Sequence, residues 1–377
     1  TADISLIEGN KGLYDGLDLQ GSNSNAALAT LTHTPVILVL DARGMTRGIA
    51  PLILGYQAFD PAVKIAAVIL NQLGGSRHEA KLRAVIEHYT DVPVIGGVHR
   101  NPALLIDERH LGLIPSNEAS MADRKIIEVR DRIRDQVDLE QLLAVAGDDT
   151  LDFTLPPPAH GITTQVVRIG IAHDAAFGFY YPDDLAALQQ AGAELVPFNT
   201  LTDSSLPAVD GLFIGGGFPE SHLQTLADNT ALRADIRKAI EDGLPAYAEC
   251  GGLMYLSRTI AWNGKQSDMV GIIPADTVMH TRPQGRGYVR LRETAAAPWP
   301  STGPTGEFAA HEFHYSSLEN ISETLIFAYE VLRGTGVDGR HDGIVINNLL
   351  ACYSHMRDTR QHHWARRFVD FVRSRLN

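Results

Sequence analysis

Apolar residues in the opening part of the chain come in short runs separated by amphipathic stretches. Residues 4–8, 36–41, 65–71 and 93–98 read as strands, and residues 78–89 carry a helical period. This alternation predicts a mostly parallel sheet covered by helices. Ligands of such sheets gather at the carboxyl ends of the strands, where Glu8, Asp41 and Asn71 stand. Each of these residue types also caps turns, so the series matters more than any one member. Helical patterns follow at residues 121–136 and 139–146, the second opened by Asp138 as an N-cap.

Residues 147–164, GDDTLDFTLPPPAHGITT, lose all periodicity and contain consecutive prolines. They read as a linker between a domain of residues 1–146 and another of residues 165–377. The second domain repeats the α/β pattern. Strands are expected at 166–172, 194–198 and 209–214, and Pro182 suits a first helical turn. Helices are expected at 223–243, a Gly- and Pro-rich irregular region at 263–306, and strand-like segments at 307–316 and 343–355. An amphipathic helix is expected at 361–376.

Composition narrows the function classes. With 377 residues and 44% hydrophobic content the chain can bury two cores. Its 45 acidic against 32 basic residues give a formal charge of -13, with no basic block to follow a phosphate backbone, which argues against nucleic acid. The longest apolar runs are strand-sized, so no membrane span is predicted. Two cysteines build no disulfide framework and the start shows no secretion signal, so a reducing, cytoplasmic setting is expected. The chain opens on Thr1, and sequence upstream of it is expected to be missing.

The chemistry concentrates at PAYAECGGLMYL, residues 245–256. An apolar run ends in Glu249 and Cys250, two glycines follow, and helix formers come next, which predicts strand, sharp turn and helix with the thiol at the turn. A cysteine beside a helix start ionises more readily, and the thiolate is the nucleophile. A small buried residue beside a tight turn is the competing reading. Gly215, Gly216 and Gly217 follow another buried strand, either as a plain loop or as backbone donors approaching a ligand. A nucleophilic cysteine needs a base, and His280, His311, His314 and His355 all compete for that role. HEFHYS resembles a zinc motif but has Tyr315 where the second ligand belongs, and strand alternation puts His311 and His314 on opposite faces. Cys352 reads as buried strand filler.

The ordered motifs DAAFGFYYPDDL, GLFIGGGFPESHL, AYAECGGLMYL, GEFAAHEFHYS and ACYSHM resemble the amidotransferase half of the cobyrinic acid a,c-diamide synthases. IEGNKGLYDG, VLDARG, ILNQLGG and ERHLGLIPSNE are similar to successive motifs of that family's other half. The resemblance implies a P-loop-type, dethiobiotin-synthetase-like domain followed by a class I glutamine amidotransferase domain of flavodoxin-like form. It implies Cys250 as nucleophile and His355 as its base, with Gly216, Gly217 and Gly251 around the oxyanion and glutamine. It also implies ATP and Mg²⁺, with Glu8 at the metal, Asp15 at the substrate and Asn71 at adenine. The implied reaction phosphorylates the a and c carboxylates of a corrin and displaces the phosphate with ammonia from glutamine, in cobalamin biosynthesis.

Two departures accompany the resemblance. Many class I relatives carry a glutamate two residues past the histidine; Arg357 stands there, so a Cys–His dyad is expected. No GxxxxGK[ST] phosphate loop occurs anywhere in the chain, so it is expected to hydrolyse glutamine without completing the amidation. Competing readings are a non-catalytic corrinoid- or partner-binding derivative, and the same reaction on hydrogenobyrinic acid or nickel sirohydrochlorin.

Overall fold

The computed structural model describes residues 3–106, 108–109, 112–113, 122–147, 166–299 and 306–376. They fall into two compact units, one of residues 1–106 and 121–157, the other of residues 107–120 and 158–377. The expected linker lies, from residue 148 onward, outside the described residues. Among the described residues no helix is long and apolar enough to cross a membrane.

In the first unit, helix α1 (Asn25–Leu31) precedes three parallel strands, β1 (Val36–Asp41), β2 (Ile65–Leu73) and β3 (Val94–His99), which lie in that order. Helices α2 (Ile49–Phe59) and α3 (Ser76–Tyr89) connect them as crossovers, the arrangement parallel strands require. Leu38, Leu40, Ile49, Ile53, Val68, Leu70, Leu82 and Ile86 close the core between these layers. Helices α4 (Ala122–Arg134) and α5 (Leu139–Ala146) complete the described part of this unit, and Asp138 caps the latter by accepting the Gln141 N–H; the two short strands before them, β4 (Glu108–Arg109) and β5 (Gly112–Leu113), fall in the second unit. The strand expected at residues 4–8 is absent: the segment is irregular, with Ile4, Leu6 and Ile7 46%, 86% and 52% exposed. An alternating run becomes a strand only where a neighbour takes its backbone hydrogen bonds and a core takes its apolar face, and among the described residues this segment has neither.

The second unit begins with β6 (Val167–Ala172), β7 (Phe177–Phe179), α6 (Pro182–Gln190), β8 (Ala193–Phe198), β9 (Gly211–Ile214) and β10 (Gly216–Gly217). Next come α7 (Leu223–Asp228), α8 (Thr230–Glu241), β11 (Ala246–Glu249) and α9 (Gly251–Leu256). Strands β12 (Ser257–Trp262), β13 (Lys265–Asp268), β14 (Ile273–Met279), β15 (Gly285–Glu293), β16 (Glu307–His314), β17 (Ser316–Glu319), β18 (Ile326–Arg333), β19 (His341–Ile346) and β20 (Leu349–Cys352) precede the final helix α10 (Trp364–Ser374). Nine strands make the main sheet, in the order β16-β15-β18-β19-β20-β11-β9-β6-β8. From β8 to β20 the pairings are parallel, and from β20 to β16 they are antiparallel. The central strands GLFI, AYAE and LLAC are buried at every position, which is why they read as unbroken apolar runs rather than alternating ones.

Two stretches differ from the sequence reading. Residues 263–306 carry β13, β14 and β15 rather than irregular chain. The burial of β14 alternates residue by residue, but the polar Thr277 lies on its buried face and the apolar Val278 on the other, and the surrounding glycines and prolines dilute the signal further. Residues 343–355 contain a turn at Asn347, whose φ of 51° breaks the run into the antiparallel pair β19 and β20.

Helix α10 closes one face of the main sheet. Trp364, Phe368 and Val372 recur every fourth residue and are fully buried. The Phe368 ring lies 5.3 Å from Trp299 and 6.2 Å from Tyr247, and Trp364 lies 5.1 Å from Tyr247. Truncating an aromatic side chain in such packing leaves a cavity as well as losing burial. Phe368→Ala is therefore expected to cost about 3–5 kcal/mol. All three tryptophans, Trp262, Trp299 and Trp364, belong to the second unit, so urea unfolding followed by tryptophan fluorescence measures this loss directly.

Candidate active site

The carboxyl ends of β9, β11 and β20 are adjacent in the parallel part of the sheet, and each leads into one component of a single cluster. Strand β11 ends at Glu249 and α9 starts at Gly251, so Cys250 alone makes the turn. Its backbone sits at φ 47°, ψ -99°, a strained conformation for a residue with a Cβ that costs about 1–3 kcal/mol. Neighbours hold it there. The Cys250 N–H donates to the Cys352 carbonyl at 2.8 Å, and the Cys250 carbonyl accepts the Met254 N–H at 3.0 Å. A Cβ on Gly252 would fall 2.1 Å from the Ile214 carbonyl oxygen, and one on Gly251 would fall 2.8 Å from the Gly217 nitrogen. The two glycines are what let α9 start hard against the end of β9.

The glycine loop is fixed from the other side. Asp174 accepts the Ala176 and Phe177 N–H groups and the Thr200 hydroxyl, which shapes the turn into β7. β7 then pairs with β10, opposing Gly216 to Phe179 and Gly217 to Phe177. The Gly215 N–H donates to the Tyr180 hydroxyl at 3.0 Å, and that hydroxyl donates to the Ala172 carbonyl at 2.6 Å. Gly215 is thereby committed to the scaffold. A Cβ on Gly216 would lie 2.8 Å from the His355 Cε1, so this glycine faces the imidazole directly.

His355 follows β20 and is locked to β16 by two backbone hydrogen bonds with His311, at 2.7 and 3.2 Å. The two imidazoles stack with centroids 5.0 Å apart and planes 16° apart. The Cys250 side chain acts on the His355 ring and favours its charged form. Of the competing histidines, His280 bonds the Ser317 hydroxyl, and His314 is buried against the Tyr353 ring with its Nδ1 on the Ser316 carbonyl. Cys352 is fully buried, and burial pushes its thiol well above the ordinary range, as suits strand packing.

A carboxylate also lies against the imidazole of the expected dyad. Glu249, 3% exposed, places its Oε2 3.3 Å from the His355 Nδ1, while its Oε1 accepts the Met356 N–H at 3.0 Å and the Tyr247 hydroxyl. The carboxylate thus comes from the residue before the cysteine. Arg357 turns away to Asp183 and Asp184, its guanidinium 3.9 Å from the centre of the Tyr181 ring. The sequence did hold a signal for Glu249: a glutamate closing a fully buried apolar strand needs partners.

These contacts divide the charge. Burial opposes a charged His355, but hydrogen bonds and charge from Cys250 and Glu249 outweigh it and raise the imidazole to about 10. His311 goes the other way: burial first, then the charge of His355, lower it to about 4, and its Nε2 lies 3.0 Å from the Tyr181 hydroxyl. A charged imidazole therefore stacks on a neutral one. The cluster sets a cysteine side chain, a candidate nucleophile, beside a proton carrier.

Glu8, Asp15 and Asn71 belong to the first unit. Glu8 is exposed in the irregular segment, and Asp15 is exposed in a turn closed by its N–H on the Gly12 carbonyl. Asn71 stands opposite Asp41 at the carboxyl end of β2, its side-chain oxygen accepting the Gln72 N–H. No hydrogen bond joins these three, and among the described residues no group of three or more His, Cys, Asp or Glu is placed to hold a metal ion.

Residues 168–361 match the CobB/CobQ-like glutamine amidotransferase domain, and residues 1–106 match an AAA domain. Fold and comparison together define a chain that joins an AAA-type α/β domain to a glutamine amidotransferase domain. The cobyrinate a,c-diamide synthase of Magnetococcus marinus is 44% identical, across 99% of this chain and 81% of its own length. Those of Methanosarcina acetivorans and Archaeoglobus fulgidus are 41% and 38% identical, covering 94% and 98% of this chain and 76% and 80% of their own lengths. The chain belongs to the cobyrinate a,c-diamide synthase family.

The stacked imidazoles yield a pH prediction. His311 stays neutral in the fold down to about 4, whereas in the unfolded chain it takes up a proton near 6.5. Its contribution therefore lowers stability as pH falls through that window. His311→Gln keeps a polar group beside Tyr181 but has no such titration. Its melting temperature is expected to fall less than that of wild type between pH 6.5 and pH 4, as followed by tryptophan fluorescence.

Proposed function

We propose that the second unit hydrolyses glutamine at Cys250 and that the first unit uses the ammonia, with ATP, to amidate the a and c carboxylates of cobyrinate. The observation that carries the glutaminase reading is the Cys250–His355 pair at the carboxyl ends of adjacent parallel strands, inside the matched amidotransferase domain. The Cys250 thiolate attacks the glutamine amide carbon. The His355 imidazolium gives its proton to the departing ammonia, and a thioester forms. His355 then takes a proton from water, whose oxygen attacks the thioester and releases glutamate. The Gly251 N–H is the first oxyanion donor, with Gly216 and Gly217 supplying the opposite wall. Loss of one such donor typically lowers turnover about 10²- to 10³-fold.

In the first unit, ATP converts a carboxylate into an acyl phosphate, because phosphate leaves a carbonyl carbon far more readily than oxide does. Ammonia then displaces it to give the amide. Asn71 is assigned to adenine and Asp15 to the corrin substrate. Magnesium would enter with the phosphates of ATP and offset their charge. Glu8, the carboxylate assigned to it, belongs to no group of three or more metal-ligating side chains among the described residues, so no step is routed through the metal. The chain contains no GxxxxGK[ST] sequence to cradle those phosphates.

The test is ammonia release from glutamine by this 377-residue chain, measured with and without cobyrinate and ATP. Release is expected, and Cys250→Ser is expected to abolish it. Release that persists in Cys250→Ser would remove the nucleophile assignment. No release under any of these conditions would favour a corrinoid-binding role.

A further inference from the structure

Resting on the glutaminase reading, we infer that Glu249 is the residue that positions His355, completing a Cys–His–Glu triad in which the carboxylate immediately precedes the nucleophile. Three observations carry this. Glu249 Oε2 faces the His355 Nδ1 at 3.3 Å, which leaves the other ring nitrogen for the thiol. The carboxylate cannot swing, because Oε1 holds the Met356 N–H and the Tyr247 hydroxyl. Each of those donors is rigid: Tyr247 is fully buried on the same strand, and Met356 is the residue after His355. The position two residues past the histidine is filled by a cation, Arg357, which is engaged with Asp183 and Asp184.

The strand register explains how a residue on β11 can do this. Glu249 lies opposite Cys352, so β20 ends beside it and the chain returns His355 and Met356 over the Glu249 carboxylate. The charged and titratable groups around the imidazole are then Glu249 and Cys250 from β11 and its turn, and His311 from β16. Tyr181, Asp184 and Arg357 lie farther out. Among the described residues, Glu249 is the carboxylate bonded to the His355 ring.

A merely structural Glu249 would tie β11 to the Met356 backbone and leave the chemistry alone. Glu249→Gln separates the two roles because it preserves the shape and removes the charge. The expected result is a kcat for ammonia release lowered about 10²-fold or more with KM within a few-fold. The rate of Cys250 alkylation by iodoacetamide at neutral pH should fall about tenfold, its pH midpoint moving up, because the imidazolium that stabilises the thiolate has lost its counter-charge. Glu249→Asp should recover part of both, and Tyr247→Phe, which removes one of the two donors that hold Oε1, should lower both by less than Glu249→Gln does.

A folded Glu249→Gln protein with wild-type kcat and an unchanged alkylation profile would overturn the inference. Should Glu249→Gln fail to fold, ¹⁵N NMR of His355 in wild-type protein alkylated at Cys250 decides. A neutral imidazole with its proton on Nδ1 supports the triad, and one with its proton on Nε2 overturns it. Alkylation and NMR need no turnover, so an absence of ammonia release from wild type would count against the glutaminase reading while leaving Glu249 under test.

Discussion

The second unit depends on one constrained turn. Cys250 must leave a fully buried strand, reverse into a helix within a single residue and keep its side chain beside a histidine, and the backbone conformation that does so is unfavourable for a residue with a Cβ. Packing holds it in place. Glycines at 251 and 252 let α9 touch the backbone of Gly217 and Ile214, while Cys352 on β20 takes the Cys250 N–H. Loosening any of these contacts would let the turn relax toward an ordinary conformation and carry the sulfur away from His355. The strain is tolerable because α9 is buried along its whole length and the strands on either side are covered on both faces.

The same constraint explains why the neighbouring loop is glycine. A residue with a side chain at 216 would press on the imidazole, and one at 217 would meet the Ala176 carbonyl 1.9 Å away. Gly215 spends its N–H on Tyr180, which anchors the loop to β6 through Ala172. The loop is thus a backbone surface held at a fixed distance from the thiol. A preorganised surface of this kind stabilises developing negative charge without reorganising during the reaction.

Much of this was legible in the sequence, and the exceptions have physical reasons. The elbow announced itself because an apolar run, a cysteine, two glycines and helix formers follow one another without interruption. The central strands were visible because strands covered on both faces are apolar throughout. Strands β14 and β15 were not, since one buries the polar Thr277 and turns Val278 outward and the other places arginines at 286, 290 and 292. The segment at residues 4–8 has a strand's composition without a strand's partner. His355 could not be separated from His280, His311 and His314 by spacing, because what distinguishes it is the carboxyl end of a parallel strand two places from β9, a fact of topology.

Glu249 was the hardest residue to see, because sequence adjacency says nothing about which side of a ring a carboxylate will reach. A carboxylate acting through an imidazole has a single geometric requirement: it must meet the ring nitrogen that does not face the nucleophile. In a parallel pair with β11 beside β20, that point can be approached from the segment after the histidine or from the end of the strand that carries the cysteine. The first route is closed here by Arg357, whose guanidinium lies over Tyr181 and pairs with Asp183 and Asp184. The second is open because Tyr247 and the Met356 N–H satisfy the oxygen that does not face the ring, so the carboxylate is buried with its partners supplied. Nucleophile and orienting carboxylate thereby share one strand end, and the turn that aims the thiol also fixes the carboxylate.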